Sequence, residues 1–118
     1  MKEERIPVLA TSTTATAEQA RDLAHRLVEA KLAACVQIVD PIISVYRWQE
    51  KVEEEREVLL LIKSTRELVP RIEELFAEIH SYEVPELIAV SIDSGSKAYL
   101  DWLLENTAPP AASSDSAG

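Results

Sequence analysis

Val58-Leu59-Leu60-Leu61-Ile62 is a run of five apolar residues, with Glu57 before it and Lys63 after it. A strand with one wet face alternates, whereas one covered on both faces is apolar throughout. The run therefore reads as a central strand of a sheet. Upstream lies the charged stretch from Gln49 to Glu57, and before it Ser44-Val45-Tyr46-Arg47-Trp48 alternates. Val45 and Arg47 share one face there, and Ser44, Tyr46 and Trp48 the other. Leu32 to Val39 is also β-like, and Pro41 interrupts the strand, as an edge position, bulge or bend would. Two long strands, Cys35–Trp48 and Val52–Ile62, joined around Gln49-Glu50-Lys51, make a hairpin whose exposed arm carries Glu53-Glu54-Glu55.

Downstream, Ser64 or Thr65 is placed to cap a helix with the apolar stripe Leu68, Ile72, Leu75, Phe76 and Ile79. Pro70 falls in its first turns, where a missing N–H does least harm. Pro85 requires the helix to end near His80-Ser81. Leu87 to Ile92 reads as a further strand, ended by Gly95, and Ala98 to Leu104 as a short helix. At the other end, Ile6 to Thr11 reads as a strand stopping at a helix entrance, with Thr14 or Thr16 as N-cap and Glu18 and Gln19 in the first turn. Ala20, Leu23, Ala24, Leu27 and Val28 then recur at helical spacing.

The order is β-α-β-β-α-β plus a short C-terminal helix. This is an α+β, ferredoxin-like sandwich with both main helices on one face of an antiparallel sheet. Residues 1–107 read as a single domain. The Ala-, Pro- and Ser-rich tail 108–118 cannot bury enough apolar surface to offset its ordering entropy and is expected to be disordered. The hairpin strands carry apolar side chains at both parities and extend past so small a domain. Their uncovered edge and face predict pairing with other copies of the chain.

The chain has 118 residues, 47% apolar and 28% charged, with a formal net charge of -9, enough for one real core. That charge argues against a nucleic-acid partner, which needs a basic footprint, and against an anionic membrane surface. The single cysteine, Cys35, permits no internal disulfide and no CxxC motif. The start, Met1-Lys2-Glu3-Glu4-Arg5, lacks the apolar stretch of a signal peptide, and no apolar run reaches membrane-spanning length. A cytoplasmic location is expected.

His80, Tyr82, Glu83 and Glu86 cluster between the second helix and the last strand. An imidazole with nearby carboxylates suits copper or zinc, while a histidine here also suits the C-terminus of a helix. Cys35, in an apolar strand entrance without a basic sequence neighbour, reads as a small core residue or, less simply, as a thiol ligand. Lys63 beside Ser64 and Thr65 combines a cation with a helix start, as anion sites do, but also as a cap with a snorkelling lysine does. Tyr46 and Trp48 suit either a ligand cleft or a subunit interface. His25 falls among exposed helix positions. No nucleophile elbow, supported Cys-His pair or H-E-x-x-H is present. An enzyme is not expected, and no required cofactor is implied.

Five stretches together resemble the CutA family of divalent-cation tolerance proteins. They are Leu32-Ala33-Ala34-Cys35-Val36-Gln37-Ile38, Ser44-Val45-Tyr46-Arg47-Trp48, Leu61-Ile62-Lys63-Ser64-Thr65, His80-Ser81-Tyr82-Glu83-Val84-Pro85-Glu86-Leu87 and Tyr99-Leu100-Asp101-Trp102-Leu103. They span residues 6–107 in order, which is more specific than any single motif. The resemblance implies a ferredoxin-like fold similar to PII signalling proteins, a homotrimer whose long hairpins pair between subunits, and a link to divalent cations, copper in particular, without catalysis. It implies His80 and Glu86, with Glu83 beside them, as metal ligands. The position of a cysteine that ends the first strand in some members is matched to Ala10. Ser81 stands where members commonly have Pro, and Glu50 where they commonly have a hairpin Gly. The alternative reading is a PII-like module holding a small anionic metabolite between subunits, with Lys63, Tyr46, Trp48, Tyr82 and Cys35 lining the cleft; a third is a scaffold for a protein partner.

Overall fold

The computed structural model describes residues 4–109. Its elements are β1 (Pro7–Thr14), α1 (Ala17–Glu29), β2 (Cys35–Trp48), β3 (Lys51–Thr65), a 3-10 turn (Arg66–Leu68), α2 (Val69–Ile79), β4 (Ile88–Ser91) and α3 (Lys97–Glu105). The four strands form one antiparallel sheet in the order β2-β3-β1-β4. This is the ferredoxin-like α+β arrangement that the order of elements predicts.

The run 58–62 lies inside the sheet, paired to β2 on one side and β1 on the other. Val58, Leu60 and Ile62 point to the helical layer and are buried with Ala10, Leu23, Leu27, Ile72 and Phe76. At about 25 cal/mol per Å² of apolar surface removed from water, this helix-facing layer is the main source of stability. Leu59 and Leu61 point to the opposite face and are only partly covered.

Local chemistry sets the helix boundaries. Thr16, in extended conformation, is the N-cap of α1, and its Oγ1 accepts the Gln19 amide at 3.1 Å. Thr14 instead donates its hydroxyl to the Thr16 carbonyl at 2.8 Å. Pro70 sits in the first turn of α2, where no intrahelical N–H is needed. Neither Ser64 nor Thr65 makes a capping bond to α2. Thr65 precedes the 3-10 turn without a side-chain cap, and Ser64 donates to the carbonyl of Leu32 at 2.6 Å. A tertiary acceptor wins over the local one because Ser64 is fully buried and its hydroxyl must be satisfied inside the core.

The hairpin turn is Gln49-Glu50, both at positive φ, 52° and 71°. A two-residue turn with both residues left-handed matches the twist of its flanking strands, although glycine or asparagine usually fills it. The interruption at Pro41 is a register shift between Val39 and Ile42, beside a cis Asp40-Pro41 peptide. The last strand is shorter than expected, covering Ile88–Ser91 alone, so β4 pairs with β1 only from Val8 to Thr11. Ala108 is tied down by its amide, which donates to the Lys31 carbonyl at 2.8 Å. The rest of the expected tail, from residue 110, lies outside the described residues.

Candidate functional site

Beyond Thr11, β1 has no β4 partner, yet Ser12, Thr13 and Thr14 are all buried. The segment that covers them runs from the end of α2 to the start of β4. It begins at His80, the C-cap of α2, whose backbone is extended and whose amide donates to the Phe76 carbonyl at 2.9 Å. The imidazole Nε2 lies 3.0 Å from the Thr13 carbonyl oxygen and 3.5 Å from Ser12 Oγ. Its Nδ1 accepts the backbone amide of Tyr82 at 3.1 Å. Together these bonds select the neutral tautomer with the proton on Nε2. The ring packs edge-on against Phe76 and is tilted against Tyr82. Burial lowers the His80 pKa from its ordinary value, and the hydrogen bond to Thr13 offsets this in part. A cleft of about 620 Å³ between the start of α1 and the end of α2 reaches His80 from solvent.

From His80 the segment crosses to the other face of the sheet. The Tyr82 hydroxyl donates to Glu57 Oε2 at 2.7 Å, and Glu57 is only 8% exposed. Burial and the Glu57 carboxylate both push the Tyr82 phenol well above its ordinary range. Further on, Glu86 accepts the Thr11 hydroxyl at 2.6 Å. Glu83 is exposed. Among the described residues, no three His, Cys, Asp or Glu side chains come together as a metal-holding group. Within one chain the residues matched as ligands therefore do not fit a resident metal. Both nitrogens of His80 are occupied, Glu86 is bonded to β1, and Glu83 joins neither.

The structure also changes the β1 position that belongs to this region. Ala10 is fully buried, opposite Ile62 and Ala89. The β1 side chain that meets His80 is Ser12, two residues on and on the same face of the strand. The sequence reading missed Ser12 because only the path of the 80–86 segment brings the two together.

The five residues proposed for an anion cleft fall into three places. Cys35 and Lys63 are direct cross-strand partners, so the thiol has a basic neighbour that its flanking sequence does not show. The Lys63 ammonium turns to α3, 3.2 Å from the Tyr99 hydroxyl and 5.4 Å from the centre of its ring. Tyr46 lies eleven positions further along β2, roughly 36 Å at about 3.3 Å per residue. There it neighbours Tyr82 and Glu55, and partial desolvation followed by the Glu55 carboxylate raises its phenol pKa. Trp48 stands at the hairpin tip opposite Lys51. One chain does not gather this set. His25 is an exposed surface residue beside Glu29, as its helix position predicts.

The remaining feature is the face of the sheet away from α1 and α2. Register places Val39, Tyr46, Trp48, Ile88 and Val90 on it, all among the exposed large apolar residues. On the reverse of the hairpin arm, beyond the reach of the helices, Ile43, Val45 and Val52 are 59%, 63% and 65% exposed. Large apolar side chains are thus exposed on both sides of the arm.

The family model for the CutA1 divalent ion tolerance protein matches residues 8–106. The chain belongs to the CutA1 family. The divalent-cation tolerance protein CutA of Thermus thermophilus is 48% identical over 95 residues, which are 80% of this chain and 92% of that protein. Human protein CutA is 41% identical over 88 residues, 75% of this chain but 49% of the human protein, so this CutA1 chain spans about half the length of its human relative. Among solved structures, CutA1 from Thermus thermophilus superposes with a TM-score of 0.85 at 45% identity, covering 87% of this chain and all of that one. CutA1 from Oryza sativa superposes at 0.84 with 39% identity, covering 87% and 94%.

Proposed function

We infer that this CutA1 chain works as a homotrimer that binds divalent cations of the copper or zinc type, without catalysis. The observation that carries the assembly is the large apolar side chains left exposed, among the described residues, on the sheet face away from α1 and α2 and on both sides of the hairpin arm. Long exposed strands with apolar side chains are stable in water only when paired or covered, and a closed ring of copies provides both. The cation role rests on family membership and on a formal charge of -9, which favours cations near the surface. The 80–86 segment is the proposed address. A cation held there has to take His80 Nδ1 from the Tyr82 amide and obtain further ligands from another subunit.

Sedimentation at micromolar concentration tests the assembly, and a stable monomer would remove it. Titration of Cu²⁺ and Zn²⁺ into the protein and into His80→Ala tests the address. Superimposable binding curves exclude His80 from it.

The alternative, a small anion bound between subunits, has one observation in its favour: a cation, Lys63, on the side of β3 away from α1 and α2, beside Tyr99 of α3. Thermal stabilisation by a panel of anionic metabolites that disappears in Lys63→Ala would favour this reading over the first.

A further inference from the structure

Residues 80–87 contain no helix or strand, and side-chain bonds fasten them across the sheet. His80 Nε2–H stands in for the ladder donor that a longer β4 would have offered to the Thr13 carbonyl. His80 Nδ1 holds the Tyr82 amide, the Tyr82 hydroxyl holds Glu57 on the face away from α1 and α2, and Glu86 holds Thr11 where β4 begins. Four pins thus join one short segment to β1, β3 and its own first residue, while Val84 at its middle is 68% exposed. Segments with few backbone ladder bonds and little buried apolar surface open at lower free energy than the core beneath them.

We propose that residues 80–87 form a strap that opens as a unit independently of the core, and that this opening frees His80 Nδ1 and the Glu86 carboxylate to take up a cation. The second half rests on the cation reading above; the first half does not. His80 and Glu86 are both engaged when the strap is closed, and releasing Tyr82 frees the imidazole nitrogen that faces it. In this state of the chain His80 is a positioning residue for the strap. The strap therefore accounts for a candidate ligand set that does not assemble within the closed chain.

Hydrogen–deuterium exchange on the metal-free protein tests the strap, with Tyr82→Phe and Thr11→Val each removing one pin while keeping the side chain's bulk. The expected result is exchange roughly fivefold to tenfold faster at the Tyr82 amide, which His80 Nδ1 holds in the closed strap, the factor for loss of one hydrogen bond. Residues 58–62 should exchange as in the parent protein. Unchanged strap exchange in both variants, or strap and central strand accelerating together, would overturn the proposal. Zn²⁺ titration of the same proteins separates the two halves. Faster strap exchange with identical Zn²⁺ binding in the parent, Tyr82→Phe and His80→Ala proteins leaves the strap standing. It removes both its role in cation uptake and the cation address.

Discussion

His80 donates to the carbonyl of Thr13 across 3.0 Å, closing a backbone position that β4 is too short to reach. A buried carbonyl without a partner costs about 1–3 kcal/mol, and His80→Ala leaves both that group and the Tyr82 amide unpaired. The substitution should lower unfolding stability by roughly that amount, measured by urea denaturation.

The same residue sets an acid-side pH dependence. Burial lowers the folded-state pKa of His80, so the unfolded chain takes up its proton first as pH falls. The contribution is fully present above about pH 6.5 and is lost as pH drops from there through the folded-state value. Urea midpoints at pH 7.5, 6.0 and 5.0 should decline in the parent protein and decline less in His80→Gln. Equal slopes would show that the imidazole does not titrate differently on folding.

Tyr82 acts at the opposite end of the scale. Its folded-state pKa is raised, so its contribution is intact below about pH 10 and is lost as pH rises beyond that, where the unfolded phenol ionises first. Tyr82→Phe should flatten this alkaline loss, and Tyr46→Phe should remove a further part of it. Thermal unfolding between pH 9 and pH 11 is the measurement.

These relationships explain which features could be read without a structure. The apolar run at 58–62 and the α1 stripe from Ala20 to Leu27 obey local periodicities of two and 3.6 residues, so strand, helix and topology follow from spacing. Ser64 could not be assigned that way, because its hydroxyl ends on Leu32, 32 residues earlier. Cys35 gains Lys63 as a neighbour only through the register of two strands. His80 carried two readings, ligand and helix cap; its amide does terminate α2, whereas the ring is fixed by Thr13, 67 residues away. Residue types announce chemistry, but the partner that engages it is a matter of tertiary path.

Face assignment predicts two kinds of destabilisation. Leu60 is fully buried under the helices, so Leu60→Ala should cost about 2–5 kcal/mol at any protein concentration. Val90, 59% exposed on the opposite face, should respond differently. Val90→Asp is expected to retain the far-UV circular dichroism of the parent while weakening self-association, so that its apparent Tm rises with concentration. Sedimentation of both variants distinguishes the two effects.

Arg5 ties the start of the chain to its last helix. Its guanidinium donates to the carbonyls of Leu104 and Ala108, each at 2.8 Å, and to the Thr107 carbonyl at 3.2 Å. A planar fork reaches several carbonyls at a helix C-terminus at once, and the positive charge suits that end of the dipole. Arg5→Ala should cost about 1.5–3 kcal/mol, the range for a hydrogen bond to a charged group. Arg5→Lys should recover less than half, since one ammonium cannot reproduce the fork. Chemical denaturation of the three proteins decides it.

The hairpin turn offers a stabilising change. Gln49 and Glu50 both hold left-handed backbones, and a residue with a Cβ pays about 1–2 kcal/mol for that conformation. Glycine adopts it freely, although its looser unfolded chain offsets part of the gain. Glu50→Gly should therefore raise stability by about 0.5–1 kcal/mol, with the register from Trp48↔Lys51 onward unchanged. Gln49→Gly in addition should add less, because a second glycine enlarges the unfolded ensemble again. A lower urea midpoint for Glu50→Gly would mean that the Glu50 side chain contributes more to the arm than its backbone costs.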